Sequence, residues 1–146
     1  MLYCKRKNST NWQFPQGGID KNEDIFDAAL RELYEEVGIE ENKIKLIKES
    51  DNWYKYDLPK KYKRNSFLWE SFKGQKQKWF LFKLIEETKI DLNNENNPEF
   101  DEFNWVDYWK PLDEIVEFKR EIYEKVLTEL EPCLLYTSDA ADENPS

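Results

Sequence analysis

The sequence predicts an α/β protein in which a mixed sheet is covered by helices. Three observations point to that class. Short strand-like runs recur from residues 1–6 to residues 103–108. Two segments carry helical periodicity, one early and one late. A chain of 146 residues with no repeat and no compositional break suits one modest core.

Each element has a local reason. Residues 1–6 are apolar and aromatic until Lys5, as a strand would be, and residues 8–11 form a polar turn. Residues 12–18, WQFPQGG, enter a loop with Pro15, Gly17 and Gly18. Asp20 and Glu23 have the spacing of a capping box for a helix to about Val37, and Gly38 suits a left-handed stop. Residues 43–50, KIKLIKES, alternate like a strand; residues 53–64 are aromatic and basic, with Pro59 limiting regular structure. Residues 79–85, WFLFKLI, are apolar enough for a central strand, and Trp79, Phe80, Leu81 and Phe82 read as core. Residues 90–98 are an asparagine-rich loop, and residues 103–108 a short strand. Pro111 opens a last helix to about Leu130, with Ile115, Phe118, Ile122, Val126 and Leu130 on one side. After Glu131 the periodicity stops. Residues 1–130 are therefore expected to form the domain and residues 131–146 a disordered or non-native tail.

Composition narrows the chemistry. Without histidine there is no imidazole base, no histidine-ligated zinc and no Ser-His-Asp site. Carboxylates, cations, amides, hydroxyls or a hard metal ion must act instead. Cys4 and Cys133 form no paired motif, which favours a reducing, cytoplasmic setting. No run is long and apolar enough for a membrane span, and the start does not resemble a signal peptide. The net charge of −9 is unevenly spread. Without the four acids after Leu130 it is −5, whereas residues 55–78 hold eight cations against Asp57 and Glu70. Such a basic stretch suits a polyanionic substrate, or is simply a solvated loop. The acidic balance argues against a protein that coats duplex nucleic acid.

The first helix separates two faces. At 100° per residue, with Glu32 at zero, Phe26, Ala29, Leu30, Leu33 and Val37 fall between about 60° and 160°. Glu32, Glu35 and Glu36 fall between about −60° and 40°. Like charges at this spacing destabilise a helix, and the macrodipole disfavours them near its C-terminal end. A magnesium or manganese ion would offset both effects; a glutamate-rich surface helix is the competing reading. Arg31 stands beside the acids and suits a role in holding them more than a phosphate contact.

Residues 17–39, GGIDKNEDIFDAALRELYEEVGI, resemble the Nudix box: Gly17, five residues, Glu23, seven residues, then Arg31 to Ile39 with Glu32, Glu35, Glu36 and Gly38 in place. The resemblance implies an α/β/α sandwich and Mg²⁺- or Mn²⁺-dependent hydrolysis of a nucleoside diphosphate linked to another group. NWYKYDLPKKY at 52–62, GQKQKWF at 74–80, PEFDEFNWVDYW at 98–109 and FKREIYEKV at 118–126 are similar to the branch holding bacterial RNA pyrophosphohydrolases and dinucleoside polyphosphate hydrolases. That branch has a further N-terminal strand, so the first strand is expected to be missing here and the chain truncated. The segment TSDAADE resembles translated adapter sequence.

By the same resemblance, Glu32, Glu35, Glu36 and Glu99 are the metal ligands. Glu36, ahead of Glu32 and Glu99, is the favoured proton acceptor. Arg6 matches a phosphate-contacting arginine, with Lys5 a weaker candidate beside it. Tyr56, Gln75 and Lys76 would line the substrate site, while Val116, Phe118 and Lys119 would hold the first bases of single-stranded RNA; Phe118 reads equally as core. The implied reaction removes pyrophosphate from a 5′-triphosphorylated RNA end, or accepts a 5′-diphosphate, leaving a monophosphate that promotes decay. A dinucleoside polyphosphate hydrolase of the Ap4A type is the alternative, and an inactive nucleotide- or RNA-binding fragment a third reading. The protein is expected to be a monomer that needs no membrane.

Overall fold

A computed structural model describes residues 1–57 and 74–142, without the side chains of residues 56, 57, 74, 75, 118 and 135–142. In chain order the elements are β1 (Leu2–Arg6), β2 (Trp12–Gln13), α1 (Ile25–Val37), a short 3₁₀ turn (Glu41–Lys43), β3 (Ile44–Glu49) and β4 (Tyr54–Asp57). There follow β5 (Gly74–Gln77), β6 (Phe80–Leu84), β7 (Phe100–Trp105), α2 (Pro111–Glu114) and α3 (Glu117–Asp142). The described strands pair in three antiparallel pieces: β2-β1-β7, β3-β6 and β4-β5. Register shifts between Lys5 and Arg6, and between Leu46 and Lys48, bend the two longer ladders.

β6 shows how the layers form. Leu81 is buried with Ile122, Val126 and Leu130 of α3. On the opposite face, Phe80 and Phe82 stack on each other and meet Phe26 of α1. Alternating side chains thus place one helix on each side of the strand. A second cluster joins Val37 and Ile39 to Cys4 of β1 and Phe100 of β7. In a third, Tyr123 of α3 stacks on Phe14 with ring centroids 5.0 Å apart, and its hydroxyl accepts the buried Phe14 N–H at 3.1 Å. This anchors the loop before Gly17 to the core.

Several boundaries differ from expectation. α1 begins at Ile25 because Asp24 caps it, accepting from the Phe26 and Asp27 amides. Asp20 and Glu23 instead close their own turn: the Asp20 amide donates to Glu23 Oε1, and the Glu23 amide to the Asp20 carbonyl, both at 3.0 Å. Gly38 ends the helix with φ +73° and donates to the Tyr34 carbonyl, as its position suggested. Two loop residues, Trp12 and Gln13, pair with Lys5 and Cys4. β7 starts earlier than residue 103, at Phe100, whose side chain is buried. The last helix is interrupted at Ile115, which turns extended and buries its side chain. α3 then passes the expected end near Leu130 and continues through Pro132 to Asp142. Proline removes a helical hydrogen bond, but Leu134 beyond it packs on the cluster around Leu81. Among the described residues no helix is long and apolar enough to cross a membrane.

Candidate active site

Arg31 organises the acidic face of α1. Its Nε and Nη2 donate to both oxygens of Glu23, at 2.8 and 2.9 Å. Nη2 also donates to the Gly18 carbonyl at 2.9 Å, and Nη1 to Glu32 at 2.8 Å and Glu35 at 3.1 Å. Hydrogen bonding to Arg31 holds the Glu23 carboxyl down at about 2. Arg31 therefore ties the loop before the helix to the carboxylates upon it.

Gly17 is required by space. A Cβ there would lie 2.0 Å from the Glu32 Cδ, whereas a Cβ at Gly18 would meet nothing within 4 Å. The loop thus approaches the helix closely at Gly17 and not at Gly18.

Glu36 departs furthest from its helical-wheel position. The wheel puts it with the presented acids, yet it is 2% exposed and, among the described residues, its carboxyl meets the carboxyl of Glu99 and no N–H donor. Burial, then the facing carboxyls of Glu99 and Glu32, push it up to about 10. Burial also raises Glu32 against the pull of Arg31. Glu95, which the sequence reading did not select, joins the group. Its carboxyl is raised by burial and by Glu35 and Glu99. Its loop is fixed to the end of α1, where Asn94 Nδ2 donates to the Tyr34 carbonyl at 2.7 Å and the Asp91 amide to the Val37 carbonyl at 2.8 Å. No spacing rule could have placed Glu95, because an irregular loop brings it there.

One cleft of about 590 Å³ brings together Arg6, Gly17, Glu32, Glu36, Lys76 and Glu99. The Glu99 carbonyl is fixed to the end of β1 by the Lys7 amide at 2.8 Å. Lys5 turns to Asp101 at 2.6 Å, which engages it away from the cleft lining. Lys119 donates to Gln13 Oε1 at 3.3 Å; its pKa is lowered by burial and then by nearby Arg6. Val116 is half-buried, and neither it nor Lys119 lines the cleft. The side chains of Tyr56, Gln75 and Phe118 lie outside the described residues, although the Tyr56 and Gln75 backbones pair across β4 and β5.

Among the described residues, no three acidic or cysteine side chains are arranged to hold a metal ion as they stand. Glu32 and Glu35 are engaged by Arg31 instead. The donor set nevertheless suits a hard cation. A buried carboxylate without a donor, facing other carboxylates, requires either a proton or a cation.

Residues 1–126 match the NUDIX domain. The chain belongs to the Nudix family. This Nudix chain is 43% identical over 136 residues to an RNA pyrophosphohydrolase of Haemophilus ducreyi, covering 92% of this chain and 69% of the relative. It is 46% identical over 129 residues to an RNA pyrophosphohydrolase of Francisella tularensis, covering 88% and 82%. Two solved Nudix-like neighbours share the fold. The E. coli dihydroneopterin triphosphate pyrophosphohydrolase has a TM-score of 0.66 at 20% identity, covering 87% of this chain and 84% of that one. A C. elegans Ap4A hydrolase has a TM-score of 0.62 at 19% identity, covering 90% and 85%.

Proposed function

We propose that this protein removes pyrophosphate from the 5′-triphosphate end of single-stranded RNA, leaving a 5′ monophosphate, and also accepts 5′-diphosphorylated RNA. The observation that carries the chemistry is the buried Glu36, facing other carboxyls in a cleft with Glu32, Glu99 and the cations Arg6, Lys76 and Lys78. The choice of RNA is supported by relatives 43% and 46% identical to this chain that are named RNA pyrophosphohydrolases.

Glu32, Glu35, Glu36 and Glu99 would hold Mg²⁺ or Mn²⁺, which supplies positive charge beside the phosphate oxygens and makes a bound water more acidic. The side chains do the rest. Arg6 and Lys76 bind phosphate oxygens from the lining of the cleft. Arg31 positions Glu32 and Glu35 and does not touch substrate. An oxygen of Glu36 accepts the proton of the attacking water once the cation has displaced its own. By the resemblance, Val116, Phe118 and Lys119 would receive the first bases, and Tyr56 and Gln75 would line the substrate site. The assigned setting is a monomer in the cytoplasm, consistent with Cys4 and Cys133 forming no disulfide.

The deciding experiment compares kcat/KM for triphosphorylated RNA and for Ap4A with Mg²⁺. A preference for RNA is expected. A clear preference for Ap4A would overturn the assignment, and no turnover of either would favour a binding fragment.

A further inference from the structure

We infer that Trp53, beside Lys76 at the margin of the cleft, forms a second subsite for an unpaired nucleotide downstream of the reacting 5′ end. This rests on RNA as the substrate. Trp53 lies between β3 and β4 and remains 38% exposed. Among the described residues no other aromatic ring stacks on it. Two ammonium groups approach it instead: Lys76 Nζ is 4.6 Å from the ring centroid and Lys78 Nζ 5.7 Å.

The two lysines are not equivalent. Lys78 is engaged elsewhere, 3.7 Å from Glu49 and 3.4 Å from the Asp51 carbonyl, with its side chain 12% exposed. Lys76 is exposed, and among the described residues no carboxylate pairs with it. Lys76 also lines the cleft. The β5 strand that carries it is tied to the glycine loop, where Gln77 Nε2 donates to Gln16 Oε1 at 3.4 Å. Lys78 lines the cleft as well, so both cations border the cleft of carboxylates and the exposed indole, and Lys76 is the one without an ion pair among the described residues. An exposed indole beside a lysine that also lines the cleft fits a base stacked on the ring while the ammonium holds phosphate. The base we assign to this ring is the third or a later one, so a longer RNA supplies it and a dinucleotide does not.

The test compares kcat/KM for 5′-triphosphorylated RNAs of two and eight nucleotides in wild type, Trp53→Ala and Trp53→Phe. Stacking of one base on an aromatic side chain is lost by about 5- to 150-fold on alanine substitution. For a ring only partly exposed, the loss in Trp53→Ala is expected to be about tenfold greater on the octanucleotide than on the dinucleotide, expressed in KM. Trp53→Phe should recover most of it. Equal losses at both lengths, or none, would overturn the subsite. A second measurement needs no variant: 5-bromouridine placed at successive positions of a 5′-monophosphorylated octanucleotide should crosslink to Trp53 from an internal position. Crosslinks confined to other residues would also overturn it. Because the crosslink does not depend on turnover, wild-type preference for Ap4A would refute the RNA assignment separately.

Discussion

Replacing Gly17 with alanine separates the construction of the site from the stability of the fold. The new Cβ would lie 2.0 Å from Glu32 Cδ, 2.1 Å from Oε2 and 2.4 Å from Cγ. Ordinary contact between such atoms begins near 3.5 Å, so the carboxylate must retreat by about 1.5 Å. It can do so, because it ends a flexible side chain, but it then abandons the 2.8 Å bond from Arg31. That pair is partly solvated, with side chains 27% and 19% exposed, so its loss costs about 0–1 kcal/mol of stability. Misplacing a catalytic group by about 1 Å costs on the order of 100-fold in rate. Gly17→Ala is thus expected to melt within a few degrees of wild type while kcat for pyrophosphate release falls about 100-fold. Gly18→Ala, whose Cβ meets nothing within 4 Å, is the matched control and should retain activity. Wild-type turnover in Gly17→Ala would refute the role given to Glu32. A large loss of melting temperature alongside activity would show that Gly17 serves the fold instead.

Two further predictions follow from buried polar groups. The folded Glu36 carboxyl is pushed up to about 10 from an ordinary 4.5, so between those values the folded protein holds a proton that the unfolded chain releases. Metal-free stability therefore falls as pH rises, at a limiting slope of about 1.4 kcal/mol per pH unit for one proton. In melts with chelator from pH 5 to 8, Glu36→Gln should flatten that slope and abolish turnover when metal is restored; identical slopes, or surviving turnover, would remove Glu36 from the role. Tyr123→Phe leaves the buried Phe14 N–H without its acceptor, at a cost of about 1–3 kcal/mol, read from denaturant midpoints. A midpoint equal to wild type would show that the loop finds another anchor.

The acidic helix was legible because its chemistry is periodic: Glu32, Glu35 and Glu36 recur at helical spacing, and Gly38 stops the helix where expected. The burial of Glu36 was less legible. At about 40° on the wheel it borders the apolar stripe, and only tertiary packing decides which side of that border is dry. Glu99 was found through the resemblance carried by its loop, but Glu95 depends on how the asparagine-rich loop folds back to Tyr34. The last helix shows both outcomes. Its apolar side predicted the packing of Ile122, Val126 and Leu130. Its interruption at Ile115 and its passage through Pro132 depend on local backbone geometry and on Leu134 reaching the core, which hydrophobic spacing does not report.

The charges in the cleft imply an order of dependence between its ligands. Arg31 neutralises part of the acidic face, satisfying Glu23, Glu32 and Glu35, but it gives nothing to Glu36. The lining thus keeps Glu36, which holds a proton until a cation replaces it, and Glu32 and Glu99 alongside the cations Arg6, Lys76 and Lys78. A polyphosphate entering alone meets cations it needs and carboxylates that repel it. A divalent ion entering alone meets the carboxylates but finds Glu32 and Glu35 held by Arg31. Each ligand removes the charge that opposes the other, so their binding free energies are coupled, and by linkage the coupling is reciprocal. Single-stranded RNA should therefore tighten metal binding by the same factor as metal tightens RNA binding. Titrating Mg²⁺ with and without 5′-monophosphorylated RNA measures that factor, and a factor of one would mean that the carboxylates and the phosphate cations act as separate sites.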